Sequence, residues 1–166
     1  MNIAAINDLN PIEARQAFRR CCGSLRWSRE MDWSRPFESE VAVFEAADRI
    51  WWALEPADWL EAFASHPKIG AREGPRQENA STEALSRAEQ SGARNATPEA
   101  LEKLAEMNRQ YEARFGYIFI VCATGKSADE MLAILESRLS NYPDEEIRCA
   151  AAEQAKITRI RLEKTL

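Results

Sequence analysis

The sequence predicts an all-α fold, a single-domain helical bundle over residues 1–166 interrupted by one extended segment. Three observations predict it. Helix-start chemistry recurs along the chain, as a capping side chain followed by proline or an early carboxylate: Asn10-Pro11-Ile12-Glu13, Thr97-Pro98-Glu99 and Ser127-Ala128-Asp129-Glu130. Between these starts, apolar residues return every three or four positions, the period of a helix with one buried face. Only Tyr117 to Ala123 has the β-branched and aromatic character of a buried strand, and no second convincing run exists to pair with it.

Taken in order, the first helix starts at Asn10 and can end at Gly23, and Arg35-Pro36-Phe37 orders a connection. Val41 to Leu54 has helical spacing and stops before Pro56, and Pro56 to Ala64 makes a short helix with Trp59, Leu60 and Phe63 on one side. Residues 66–80 carry two prolines and two glycines and read as an irregular loop. Ser81 opens a helix to about Gln90, and Thr97 opens another that runs to Phe115 and stops at Gly116. The segment Tyr117 to Ala123 is then extended or irregular, with backbone groups that could face a ligand. Ser127 to Glu130 is a capping box, starting a helix to about Ser140. The last helix begins near Asp144, with Asp144-Glu145-Glu146 read as solvated surface. The tryptophans Trp51, Trp52 and Trp59 and the stripe Asn108, Tyr111, Phe115 are suited to packing.

Composition narrows the function. Hydrophobic residues make up 45% and charged residues 30%, a soluble, globular balance. Lys+Arg number 22 against Asp+Glu 27, a formal charge of −5 with no basic stripe, which argues against nucleic acid. No apolar run approaches membrane-spanning length and the N-terminus does not read as a signal peptide, so the expectation is a cytoplasmic protein. Four scattered cysteines and one histidine supply no zinc pattern, so no metal is expected.

That one histidine, His66, sits where a helix must break. Pro67 disfavours helical geometry at His66 and fixes the chain direction, so the ring can project from a rim into a cleft. An imidazole with a pKa near ~6.5 can give or take a proton at cellular pH. A lone histidine is more often a cap or a surface residue, so its company matters. Ser86, Glu89 and Gln90 share one helix face at i, i+3 and i+4, a polar face that is either solvated or turned toward His66. In the last helix, Ile147, Ala150, Ala151, Gln154, Ile157 and Thr158 gather on one side. Arg161 falls near its middle and Arg159 near the opposite face. A guanidinium on the apolar side must meet a carboxylate or an anionic ligand, unless it snorkels at a frayed end.

Together these residues resemble the OHCU decarboxylase family, which acts at the third step of urate breakdown to (S)-allantoin. The resemblance covers Arg35-Pro36-Phe37, His66-Pro67-Lys68-Ile69-Gly70 and Ser86-Arg87-Ala88-Glu89-Gln90. It continues through Asn108-Arg109-Gln110-Tyr111, Phe115-Gly116-Tyr117-Ile118-Phe119-Ile120, Arg138-Leu139, Lys156-Ile157 and Arg161-Leu162. Any one motif is weak, but the ordered set is specific.

The resemblance implies an all-helical fold with an extended ligand-lining segment, no metal and no organic cofactor. The partner it implies is a small-molecule substrate, 2-oxo-4-hydroxy-4-carboxy-5-ureidoimidazoline, and a homodimer is compatible with it. His66 maps to the catalytic acid and Glu89 to its catalytic carboxylate. Pro67, Ser86, Glu89, Gln90, Phe119, Ile120, Ala123 and Arg161 map to the substrate site. The final Lys164-Thr165-Leu166 is a poor peroxisomal signal, and the length leaves no room for a fused transthyretin-like hydrolase, so a stand-alone cytoplasmic enzyme is expected. Two alternatives remain: a non-enzymatic helical module that binds a small ligand or a partner helix, and a same-fold enzyme acting on a related ureide.

Overall fold

The computed structural model describes residues 2–68 and 96–166. Among them are eight helices and no strand: α1 (Ile3–Asp8), α2 (Pro11–Cys21), α3 (Leu25–Trp33), α4 (Glu40–Trp52), α5 (Pro56–Ala64), α6 (Pro98–Phe115), α7 (Ala128–Arg138) and α8 (Pro143–Thr165). The all-α expectation holds. The helix expected from Ser81 to Gln90 lies outside the described residues.

The starts follow the cap chemistry. Asn10 Oδ1 accepts the N–H groups of Ile12 and Glu13, with Pro11 at the first helical position of α2. Thr97 caps α6 through the Ala100 N–H. In the α7 capping box, Ser127 Oγ accepts from Glu130 N at 3.2 Å and Glu130 Oε2 accepts from Ser127 N at 2.7 Å. The α6 helix ends on Gly116 at φ 82°, a left-handed residue that glycine adopts without a steric penalty.

Two helices go beyond the sequence expectation. Helix α1 has six residues, too few to show a period, and starts on Asn2. Helix α3 buries Trp27, Ser28, Met31 and Asp32, a face half polar in composition, so its hydrophobic signal is weak although Ser24 caps it.

The helices gather into two compact units, Met1–Ala62 with Gln154–Leu166, and Phe63–Glu153. In the first, Phe18 meets the rings of Trp27 and Phe37 edge-on. The indoles of Trp27 and Trp59 donate to the carbonyls of Ala47 and Trp51, so neither polar tip is left unpaired in the core. Trp52 departs from the packing expectation: it is 48% exposed and touches Trp59 only by a ring edge. Arg35 orders the connection as expected, with Nη1 donating to the carbonyls of Ile6, Asn7 and Leu9 at the end of α1.

In the second unit, Leu104, Tyr111, Phe119, Val121, Ala123, Met131, Leu132 and Leu135 form the core, with Phe115 and Tyr117 against it. The strand-like run at 117–123 enters this core without joining a ladder. One sequence expectation is overturned here. Asp144 and Glu145 are exposed as anticipated, but Glu146 is fully buried, because the facing helices bring it two donors, Tyr111 and Arg138.

Candidate functional site

His66 follows α5 by one turn. Its N–H donates to the Phe63 carbonyl at 3.1 Å, so the chain leaves the helix in a tight turn before Pro67. Phe63 is completely buried, its ring 5.4 Å from that of Tyr117. On the other side, Lys68 Nζ pairs with Glu112 Oε2 of α6 at 2.6 Å. Both partners are well exposed, so this pair contributes at most ~1 kcal/mol. It sets direction more than stability. His66 and Pro67 are thus half-buried residues on a short strap held at each end by the same unit. An imidazole so placed keeps solvent access.

The same unit holds the run expected to line a ligand. Phe119, Ile120 and Ala123 are all buried. Tyr117 starts the run, and burial foremost pushes its phenol up to about 12, so it is neutral at physiological pH.

Behind the run lies a charged cluster. Arg138 donates through Nε to Glu146 Oε1 at 2.8 Å and through Nη2 to the same oxygen, which also accepts the Tyr111 hydroxyl. Asn141 Nδ2 occupies the second oxygen at 2.7 Å. Burial alone would lower the Arg138 pKa, but the bonds to Glu146 and the neighbouring Tyr111 outweigh it and hold it above its ordinary value. Burial and the bond to Glu146 push the Tyr111 phenol far above its usual range, so it remains a donor. The guanidinium lies 4.8 Å from the Phe119 ring centroid.

Arg161 belongs to the other unit. It is 1% exposed, while Arg159 stands in solvent over the Phe44 ring and pairs with Glu163 at 3.2 Å. The helical phase read from the sequence is therefore right. Arg161 lies within electrostatic reach of Cys22, whose thiol is nevertheless pushed up to about 12 by burial and is no nucleophile. Ser86, Glu89 and Gln90 lie outside the described residues.

Sequence reasoning missed Lys126, Arg138, Glu146 and Glu153, which bind the run or brace what binds it. One signal was present for Glu146. It precedes Ala150 and Gln154 at steps of four, so it extends the buried side of α8.

Comparison with known proteins bears on what this arrangement does. The family model described as OHCU decarboxylase matches residues 7–163. Relatives include "Uric acid degradation bifunctional protein TTL" of Arabidopsis thaliana, 43% identical over 146 residues, or 87% of this chain. The match spans 44% of that relative's length. The 2-oxo-4-hydroxy-4-carboxy-5-ureidoimidazoline decarboxylase of Amia calva is 35% identical over 79% of this chain and 75% of its own. A crystal structure of an OHCU decarboxylase in the presence of (S)-allantoin superposes with a TM-score of 0.77 at 38% identity, covering 89% of this chain and 94% of that one. A structure of (S)-allantoin synthase shares the fold, with a TM-score of 0.73 at 17% identity.

Proposed function

The chain belongs to the OHCU decarboxylase family, and from that premise we propose that it decarboxylates 2-oxo-4-hydroxy-4-carboxy-5-ureidoimidazoline to (S)-allantoin in urate degradation. The observation that carries the reading is the likeness, over nearly the whole chain, to a decarboxylase crystallised with (S)-allantoin. The family match runs through both units, so they are read as one functional domain.

The chemistry suits the side chains assigned to it. The bond from the ring carbon to the carboxylate breaks, CO₂ leaves, and its electron pair passes into the adjacent unsaturated ring as an enolate-like species. Donors already in place stabilise that charge, and an acid on one face sets the handedness of the product. In this reading Glu89 holds or deprotonates the substrate hydroxyl, which becomes the carbonyl of allantoin. After CO₂ leaves, His66 delivers the proton to the neighbouring ring carbon, the one that bears the ureido group. Arg161 takes the substrate's negative charge. Pro67, Ser86, Gln90, Phe119, Ile120 and Ala123 complete the lining. The strap that holds His66 from both sides supports its part, because an acid must be held on one face to make one enantiomer.

The reading needs no resident metal or organic cofactor. All four cysteines are free, which favours a reducing compartment and a cytoplasmic enzyme.

Circular dichroism on freshly made substrate tests the reaction. The enzyme should build the (S)-allantoin signal faster than the substrate decays spontaneously to racemate. Racemic product at the uncatalysed rate would remove the proposal in favour of a binding module. Enantiomeric product from a related ureide, with none from this substrate, would favour the drifted enzyme.

A further inference from the structure

The run Phe119 to Ala123 is buried, yet it lies in neither a helix nor a ladder. Its backbone polar groups must find partners elsewhere, since leaving them unpaired away from water is costly. Three charged side chains serve. Arg138 Nη1 donates to the Ile120 carbonyl, Glu153 Oε2 accepts from the Cys122 N–H, and Lys126 Nζ donates to the Cys122 carbonyl, each at 2.7 Å. Cations meet carbonyls and the carboxylate meets an amide, the strong, short class of hydrogen bond. Arg138 cannot swing away, because Glu146 and Tyr111 hold its other nitrogens.

The spacing matters. Ile120 and Cys122, the bonded residues, alternate with Phe119 and Val121, the spacing at which an extended chain would turn backbone groups to opposite edges. The backbone groups of Phe119 and Val121 make no hydrogen bond among the described residues. A neighbouring strand would give the same support to one edge but would present a ladder of its own. Side chains hold the edge without adding one.

We infer that Arg138, Glu153 and Lys126 are positioning residues that stand in for a partner strand. They clamp one edge of the run and hold the other in register for a ureide, whose N–H and C=O groups match a backbone edge. This rests on the decarboxylase reading above.

Glu153 and Lys126 test it best, because both are only partly buried and their truncation should leave a folded protein. Glu153→Leu and Lys126→Met should each raise KM at least about tenfold for production of (S)-allantoin. Amide exchange over residues 118–123 should become faster. Glu153→Gln keeps a carbonyl acceptor and Lys126→Arg keeps a cation, so both should stay within about threefold of the parent KM. A merely structural role would lower the melting temperature and the active fraction while leaving KM alone. KM within about twofold of the parent in Glu153→Leu and Lys126→Met would overturn the inference, as would Gln failing where Leu fails. Should the parent make no (S)-allantoin, the decarboxylase reading falls first. Exchange then judges the clamp by itself, and unchanged exchange at 118–123 in Glu153→Leu refutes it.

Discussion

Replacing Glu146 by alanine would strip the carboxylate from the buried cluster in one step. The side chain is wholly buried, and four donated bonds converge on it: Arg138 Nε and Nη2, the Tyr111 hydroxyl and Asn141 Nδ2. Alanine leaves the Arg138 guanidinium charged inside the core, facing only the Ile120 carbonyl and the Tyr111 oxygen. Breaking a buried pair in this way costs about 3–5 kcal/mol, a large share of the ~5–15 kcal/mol that holds a domain folded. With a urea slope of about 2 kcal/mol per molar, the midpoint should fall by roughly 1.5–2.5 M. Glu145→Ala, one residue away on the solvent side, should change stability by no more than ~0.5 kcal/mol. Urea titrations followed by circular dichroism make the comparison. The double variant Arg138→Met with Glu146→Leu supplies a sharper check. Removing both charges together should restore about 2 kcal/mol or more relative to the sum of the single changes. Equal midpoints for Glu146→Ala and Glu145→Ala, or strict additivity in the cycle, would show that the cluster is not a coupled buried ion pair.

Three further outcomes are expected. His66→Asn should fold normally and lose ~10²–10⁴-fold in turnover, with (S)-allantoin affinity changed far less; parental turnover from a folded variant would end its role as the acid. Arg161→Ala should lower kcat/KM at least tenfold, about 1.4 kcal/mol, whereas Arg159→Ala, exposed and paired with Glu163, should stay near the parent; the reverse order would reassign the anion site. The Ser127 N–H, foremost, and the Ser127 hydroxyl hold the Glu130 carboxyl below its ordinary pKa, so its contribution to stability is present above the unfolded-state value and lost as pH falls through the lowered one. Melting curves of the parent and Glu130→Gln should therefore differ most near neutral pH and converge in acid, and a gap that widens in acid would contradict the capping box.

What could be read from the sequence was what neighbouring residues decide. The caps at Asn10, Thr97 and Ser127 act within three residues of themselves, and all three start helices. The separation of Arg161 from Arg159 follows from helical period alone and survives intact in the structure. The isolation of the run at 117–123 was legible too, because a strand needs a partner of like composition and the chain has none. Where its backbone bonds go was not legible. Tyr111 and Glu146 stand 35 residues apart, Cys122 and Glu153 stand 31 apart, and Arg138 reaches back 18 residues to Ile120. No local pattern links such residues. Glu146 looked like one of three solvated carboxylates, and its burial depends on donors carried by two other helices. A charged side chain is stable in a core only when the fold brings its partners to it, so composition could give its type but only packing could decide its place.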